Sequence, residues 1–594
     1  MTRTKTPPQR GHSLRALALV TLLINPAAKA ETELDPLIMS ALRVPRPTGE
    51  ITASVTALDP DELEEAGILQ LRDALNRSPG VISTSTGGQT GSVGSLFIRG
   101  TNTSYSQVVV DGMRLSDSTT PLGNFLGGAR VNDFGRIEIL RGPHGSIYGG
   151  ESIGGVLWLE TAGGSDTPRS RLTAEAGSFN SFSLGSRHQG STDALSYFLA
   201  TGYEETDNDG RAQDFHQWRA ALRADAELND VWTLRTTFRA VDAYINDLGN
   251  SDNYLDSALA TVQATGVISD RWTARFHAGF YQEFYDSDST YGNYGTDLRA
   301  SSFSTDHEIK LTDDLLLLAG IYLHQDSFRN TIGTDEGRDR YGIHAALEWQ
   351  PGDGLTFHQS ARWEDYDAYG SELTWRSGAA WRIADSGLTV RGGIGSSFRT
   401  PTYLDLFGSD FGAGNPDLKA ESSLGWDIGV SHAIARDHLL ELTFFKNRIG
   451  DRIQSFPAPP VNLVGDTDTS GIELGLRGAW DDGRFGYHLA WTWLDETLSD
   501  QPRNVVNASL DWRPDDKSLV GIGVAHLSDH SWGGNPVAGY TVARLHASRQ
   551  LTENLRLHAR VENLFNESYE LSDFYGTVIQ GAGTGVHFGI TMDW

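Results

Sequence analysis

Residues 585–594 read GVHFGITMDW. In an extended chain Val586, Phe588, Ile590, Met592 and Trp594 share one face, while His587, Gly589, Thr591 and Asp593 take the other. The same alternation sets Leu555, Leu557, Ala559 and Val561 against Arg556, His558, Arg560 and Glu562. It also sets Leu424, Trp426, Ile428 and Val430 against Gly425, Asp427 and Gly429. A soluble β-sandwich alternates in this way too. Here, however, such segments recur from about residue 170 to the end without a dividing linker, the polar face is heavily charged, and the apolar face carries large aromatics. Lipid outside and water inside explains that contrast. Strands in lipid must pair every backbone group, so they close into a barrel. The expectation is an all-β transmembrane β-barrel of about 22 antiparallel strands over 165–594, wide enough to leave an open pore unless something fills it.

The chain has 594 residues, with 15 Trp, 19 Tyr, 24 Phe and 66 Gly. That composition suits short strands, turns and aromatic girdles. After residue 30 no window approaches 18 uninterrupted apolar residues, which excludes spanning helices. Residues 1–30 combine Arg3, Lys5, Arg10 and Arg15, the apolar run Ala16–Ile24 and the A-x-A triplet Ala28–Lys29–Ala30, and so read as a secretory signal peptide. Taking away its five Lys/Arg leaves 43 basic residues against 77 acidic ones, −34 formally. A nucleic-acid partner is excluded on that sign. With no cysteine, neither disulfides nor thiolate metal sites hold this exported chain together.

Residues 48–164 follow a different grammar. Short, solidly apolar runs (VVVDGMRL at 108–115, RIEILRG at 136–142, GGVLWLET at 154–161) alternate with the helix-like DPDELEEAG at 59–67 and LQLRDALN at 69–76. A small α/β domain ahead of the barrel is the natural plug. Arg99–Gly100 and Arg141–Gly142 place arginines at the ends of buried strands, where their forks suit wall carboxylates. Gly150–Gly154 (GESIG) matches a hydrolase nucleophile elbow, but a strand-like VLWLE follows it where that motif needs a helix. His144 is the only histidine near enough to tempt a catalytic reading, and no nucleophile–base constellation is found, so no enzymatic role or catalytic cofactor is expected.

LRDALNRSPGV (71–81), FIRGTNTSYSQVVVDGMRL (97–115) and RIEILRGPHGSIYGGESIGGVLWLET (136–161) resemble, in order and spacing, the plug signatures of TonB-dependent outer-membrane receptors. SSFRTPTYLDLFG (396–408), GNPDLKAE (414–421), SGIELGL (470–476) and VENLFNESYE (561–570) resemble their barrel signatures. The resemblance covers essentially the whole mature chain and implies active uptake of a scarce, large nutrient across the outer membrane of a Gram-negative envelope. It also implies TonB of the inner-membrane energising complex as partner.

Within residues 31–47, DPLIMSA (Asp35, Pro36, Leu37, Ile38, Met39, Ser40, Ala41) resembles the Ton box, a free extended segment suited to strand addition onto TonB. The plug loops expected to touch cargo contribute Gly87, Gly88, Gln89 and Ser92, then Ser116, Asp117, Thr119, Leu122 and Asn124. Within the family the similarity is greatest to the cobalamin receptors, which makes a corrinoid the first expectation and a ferric siderophore the alternative. A passive porin or adhesin, the rival outside the class, needs neither plug nor Ton box. The same similarity implies calcium in the extracellular loops, held by Asp207 and Asp209 of TDNDG (206–210) with Asp247 and Asp256; carboxylates at that spacing suit an oxygen-liganded cation.

Overall fold

In the computed structural model, residues 37–594 are described except 86–89, 116–120, 210–213, 248–250, 291, 368–369, 409–411, 436, 456–458, 499–500, 533–534 and 575–576. The expected signal peptide, Asp35 and Pro36 lie outside the described residues, as do Gly87, Gly88, Gln89, Ser116, Asp117 and Thr119.

Twenty-two antiparallel strands close into one barrel, each paired with its neighbours in chain order. The first strand, Arg169–Gly177, pairs with the last, Gly585–Asp593, in the register Arg171↔Asp593 and Ala174↔Ile590, so no edge is left open. The faces fall as the alternation predicts. Phe588, Ile590 and Met592 are exposed on the outer surface, and so are Leu424, Trp426 and Ile428. At one end the strands are joined by turns of two to four residues. There Trp272, Trp349, Trp381, Trp480, Trp512 and Trp594 stand exposed as a girdle, marking the periplasmic boundary of the bilayer. The opposite, extracellular end carries the long connections, including 400–420 and 563–584.

The wall is uneven. Strands between Trp232 and Gly352 run 16 to 19 residues, while Arg169–Gly177 has nine and Leu555–Glu562 eight. A tilted strand needs about 9–11 residues to cross the membrane, so the surplus of the tall wall rises above it.

The plug fills the lumen. Its sheet runs in the order Ser54–Leu58, Phe134–Arg141, Gly155–Thr161, Ser106–Val110, Met113–Arg114, flanked by the hairpin Val81–Ser85/Gly94–Ile98 and, among the described residues, by four short α-helices. Helix Pro60–Glu65 starts where Asp59 accepts from the N–H groups of Asp61 (2.8 Å) and Glu62 (3.2 Å), with Pro60 in the first turn. Leu71, Ile98, Val108, Ile139 and Leu157 build the plug core, and Leu259, Leu298 and Phe328 of the tall wall pack into that same cluster. The lumen face is therefore apolar wherever the plug leans on it, a departure from the uniformly charged interior expected from the alternation.

The outward face of the last strand meets lipid. Ile590→Arg should destabilise the barrel by about 2–4 kcal/mol if the position sits near the bilayer midplane. Urea unfolding followed by tryptophan emission checks this, and an unchanged midpoint would contradict the assignment of that face.

Candidate functional site

The plug is fastened to the wall at a buried seam. Arg99 follows the strand Gly94–Ile98 in the left-handed region (φ 54°), and its backbone N–H donates to Gly80 O at 2.7 Å. This turn aims the guanidinium outward. Its Nε and Nη2 donate to the two carboxylate oxygens of Glu473 at 2.8 and 3.0 Å, and its Nη1 donates to Asp427 Oδ2 at 2.8 Å. Arg141 adds a contact to Glu473 at 3.3 Å and donates to Pro79 O at 2.6 Å. Burial works against the charge of Arg99, but Glu473 and Asp427 outweigh it and hold its pKa above the ordinary value. For Arg141 burial prevails over Glu473, with the charge of Arg99 adding to it, and the pKa is lowered. Gly80 is needed here: at φ 79° any Cβ would collide with the Glu473 carboxylate.

Other plug-to-wall pairs were not singled out in the sequence. Arg130 meets Glu204 at 2.8 Å, Asp133 meets Arg219 at 3.1 Å, and Glu151 accepts from Thr400 Oγ1 at 2.9 Å. Glu151 lies inside GESIG at φ 61°. Its neighbour Ser152 donates to Gly149 O at 2.7 Å, and the Nε2 of His144 lies 3.4 Å from Arg141 O, so the serine and histidine side chains serve the turn.

The N-terminal segment is docked, which corrects the expectation of a free, extended chain. Leu37–Ile38 pairs with Arg46–Pro47. The N–H groups of Met39 and Ser40 donate to the carboxylate of Glu138 at 3.0 and 2.7 Å, Arg136 donates to Leu37 O at 2.7 Å, and Tyr148 donates to Ser40 O at 2.6 Å. Leu37 remains half exposed, whereas Ile38, Ser40 and Ala41 are buried. The reason lies in Glu138, a carboxylate with no solvent exposure between Ile137 and Ile139, which requires donors that this segment supplies.

On the extracellular side, Ser92 and Asn124 border a partly open cavity of about 100 Å³ between plug and tall wall, together with Phe125, Phe215, Tyr281 and Tyr285. Asn124 Nδ2 donates to Glu283 Oε1 at 3.0 Å, and Tyr281 donates to Glu283 Oε2 at 2.6 Å. Leu122 belongs to the helix Pro121–Gly128 beside it.

Of the four aspartates expected to share calcium, Asp207, Asp209 and Asp256 do not converge. Asp207 accepts from the Asn180 side chain, and Asp209 Oδ2 accepts from Gly583 N at 2.6 Å. Asp256 has the strand parity of the exposed Tyr254 and Val262, so it faces outward, opposite Asp242 and Phe284 of the neighbouring strands. Asp247 ends the strand Trp232–Asp247. Among the described residues no three of His, Cys, Asp and Glu gather as a metal-holding group. The residues present do not fit one shared calcium site.

Comparison with known proteins agrees with this architecture. The family model for the TonB-dependent receptor-like β-barrel matches residues 158–564, and that for the TonB-dependent receptor plug domain matches residues 47–156. Among curated proteins, the chain is 26% identical to the vitamin B12 transporter BtuB of Photobacterium profundum, over 94% of this chain and 96% of that protein. Among solved structures it is similar to the siderophore receptor PirA of Acinetobacter baumannii (TM-score 0.79, 16% identity, 91% of this chain and 98% of the other). It is also similar to the ferric-catecholate import receptor Fiu of E. coli K12 (TM-score 0.78, 15% identity, 92% and 98%). A plug seated by buried arginines inside a closed 22-stranded barrel, matched over both parts, settles the class: this chain belongs to the TonB-dependent receptors of the outer membrane.

Proposed function

We propose that the protein imports a corrinoid, cobalamin or a close relative, in a TonB-dependent manner, with residues 35–41 as the segment that TonB engages. The observation that carries the reading is the near full-length similarity to a B12 transporter. The wall beside the plug carries an acid: Glu283, buried in the wall of the cavity by Ser92, accepts from Asn124 and Tyr281. A ferric catecholate carries net negative charge and would meet Glu283 unfavourably. A ferric siderophore remains the alternative cargo, since the siderophore receptors resemble this chain in fold at 15–16% identity. The role is transport, with no chemical step.

Titration of the purified receptor with cyanocobalamin and with a panel of ferric siderophores, followed by tryptophan emission, tests this. Saturable binding of cyanocobalamin with no response to the siderophores is expected. The reverse pattern would replace the corrinoid with a siderophore.

A further inference from the structure

Where plug and wall meet, buried carboxylates are matched by arginines: Glu473 and Asp427 by Arg99, Glu204 by Arg130, Asp133 by Arg219. Glu283 breaks that pattern. It stands on the lumen face of the strand Trp272–Ser289 and is 2% exposed. Its two oxygens accept from Tyr281 at 2.6 Å and from Asn124 at 3.0 Å. Among the described residues no arginine, lysine or histidine pairs with it. Two neutral donors leave the charge itself unanswered. A buried carboxylate in that state is costly unless a cation joins it from outside.

There is room for one. The cavity that Glu283 borders is partly open and holds about 100 Å³, whereas a single water needs roughly 10–15 Å³. Phe125 comes from the plug, and Phe215, Tyr281 and Tyr285 from the wall, so rings line much of it. Gly91, at φ 88°, lets the plug loop lie against the Phe215 ring, where any Cβ would collide. Aromatic faces attract a cation, and more strongly once water is excluded.

Ser92 is an independent sign of a ligand. Its hydroxyl borders the same cavity, the residue is 3% exposed, and the oxygen has no hydrogen-bond partner among the described residues. Buried polar atoms are rarely left so, and a hydroxyl oxygen can accept from an N–H group. Arg219 and Arg239 border the cavity too, but Asp133 holds them at 3.1 and 3.5 Å, and Arg239 lies over the Phe134 ring at 4.4 Å. Their charge is committed to the plug.

We propose that this cavity is a binding subsite for an alkylammonium group. Glu283 supplies the opposing charge, Ser92 a further acceptor, and the rings an apolar collar for the alkyl chain. An ammonium brings three N–H donors, which suits a carboxylate and a hydroxyl together. A bare calcium ion is poorly served, since it takes 6–8 oxygens and the Tyr281 and Tyr285 hydroxyls already donate to Glu283 and Asn253. The subsite goes beyond the corrinoid reading and does not depend on it, because it fixes the charge and size of a group entering beside the plug, not the identity of a large cargo.

Isothermal titration of the purified receptor with n-butylammonium chloride and with 1-butanol, against empty micelles of a neutral detergent, tests this. The two probes share a chain length and differ in charge. Butylammonium should bind saturably and about tenfold or more tightly than the alcohol. Glu283→Gln should weaken butylammonium about tenfold or more and leave 1-butanol within about twofold. Ser92→Ala should weaken butylammonium about threefold. No saturable binding of butylammonium, equal affinity for the two probes, or undiminished binding in Glu283→Gln would overturn the subsite. The comparison of probes uses the unaltered chain, so it decides the matter even where Glu283→Gln fails to assemble.

Cyanocobalamin titrated into the same preparation keeps the two readings apart. A receptor that prefers butylammonium but binds no cyanocobalamin retains the subsite and loses the corrinoid. One that binds cyanocobalamin and shows no preference between the probes loses the subsite alone.

Discussion

Arg99→Ala is expected to loosen the plug by about 3–5 kcal/mol, the range for breaking a buried ion pair by removing one partner. Truncation leaves Glu473 and Asp427, both almost fully buried, facing a site from which three charge-assisted hydrogen bonds have gone. Arg141 compensates poorly, since its guanidinium is 3.3 Å from Glu473 and already commits Nη1 to Pro79 O. The barrel strands keep their own ladders, so folding of the wall should survive. The effect should appear as a lower denaturant midpoint for the plug, higher conductance in planar bilayers, and sensitivity of cells to antibiotics too large for ordinary pores. Arg99→Lys should recover only part of the loss, because an ammonium cannot reproduce the fork to Glu473 while also reaching Asp427. Arg99→Met combined with Glu473→Leu should do better than Arg99→Ala, since it removes one of the stranded charges. Plug stability and conductance unchanged in Arg99→Ala would show that the seam is not what seats the plug.

The parts of this fold legible in the sequence were those where the two faces of a strand meet different solvents. Phe588 and Ile590 against His587 and Thr591 is such a case. Asp427 and Glu473 could likewise be assigned to the lumen, Asp427 from LGWDIGV and Glu473 from SGIELGL. Their pairing with Arg99 could not be read, because the partners lie 328 and 374 residues away in sequence and no local spacing records the contact. Asp256 shows how the method fails. Leu255 and Leu259 face inward, where Leu259 joins the plug core, while Tyr254 and Val262 face lipid, so both parities of that strand look apolar. With the contrast gone, nothing in the sequence tells which way the carboxylate points. Glu138 did leave a signal, a single charge within the apolar stretch 137–140. A buried carboxylate there demands donors, but which chain end supplies them is a tertiary fact.

Leu37→Pro and Ile38→Pro are each expected to abolish energised uptake while leaving cargo affinity at the receptor unchanged. Strand addition to TonB would use the backbone of this segment, and proline removes an N–H and fixes φ near −65°. The cavity by Ser92 and Asn124, where cargo is proposed to bind, is built from other parts of the chain, so binding should not register the change. The docked arrangement introduces a competing explanation, because proline also disturbs the pairing of Leu37–Ile38 with Arg46–Pro47. Glu138→Gln separates the two. It removes the charge from the bonds accepted from Met39 and Ser40, roughly halving their strength, but it leaves every N–H of the segment free to pair with a partner. If recognition by TonB is what matters, Glu138→Gln should transport while the proline variants do not. Spin labels at position 37 should report greater mobility in Glu138→Gln, showing that undocking itself is tolerated. Uptake that survives both proline substitutions would remove the Ton-box assignment, and loss of uptake in Glu138→Gln would place the essential function in the docked state.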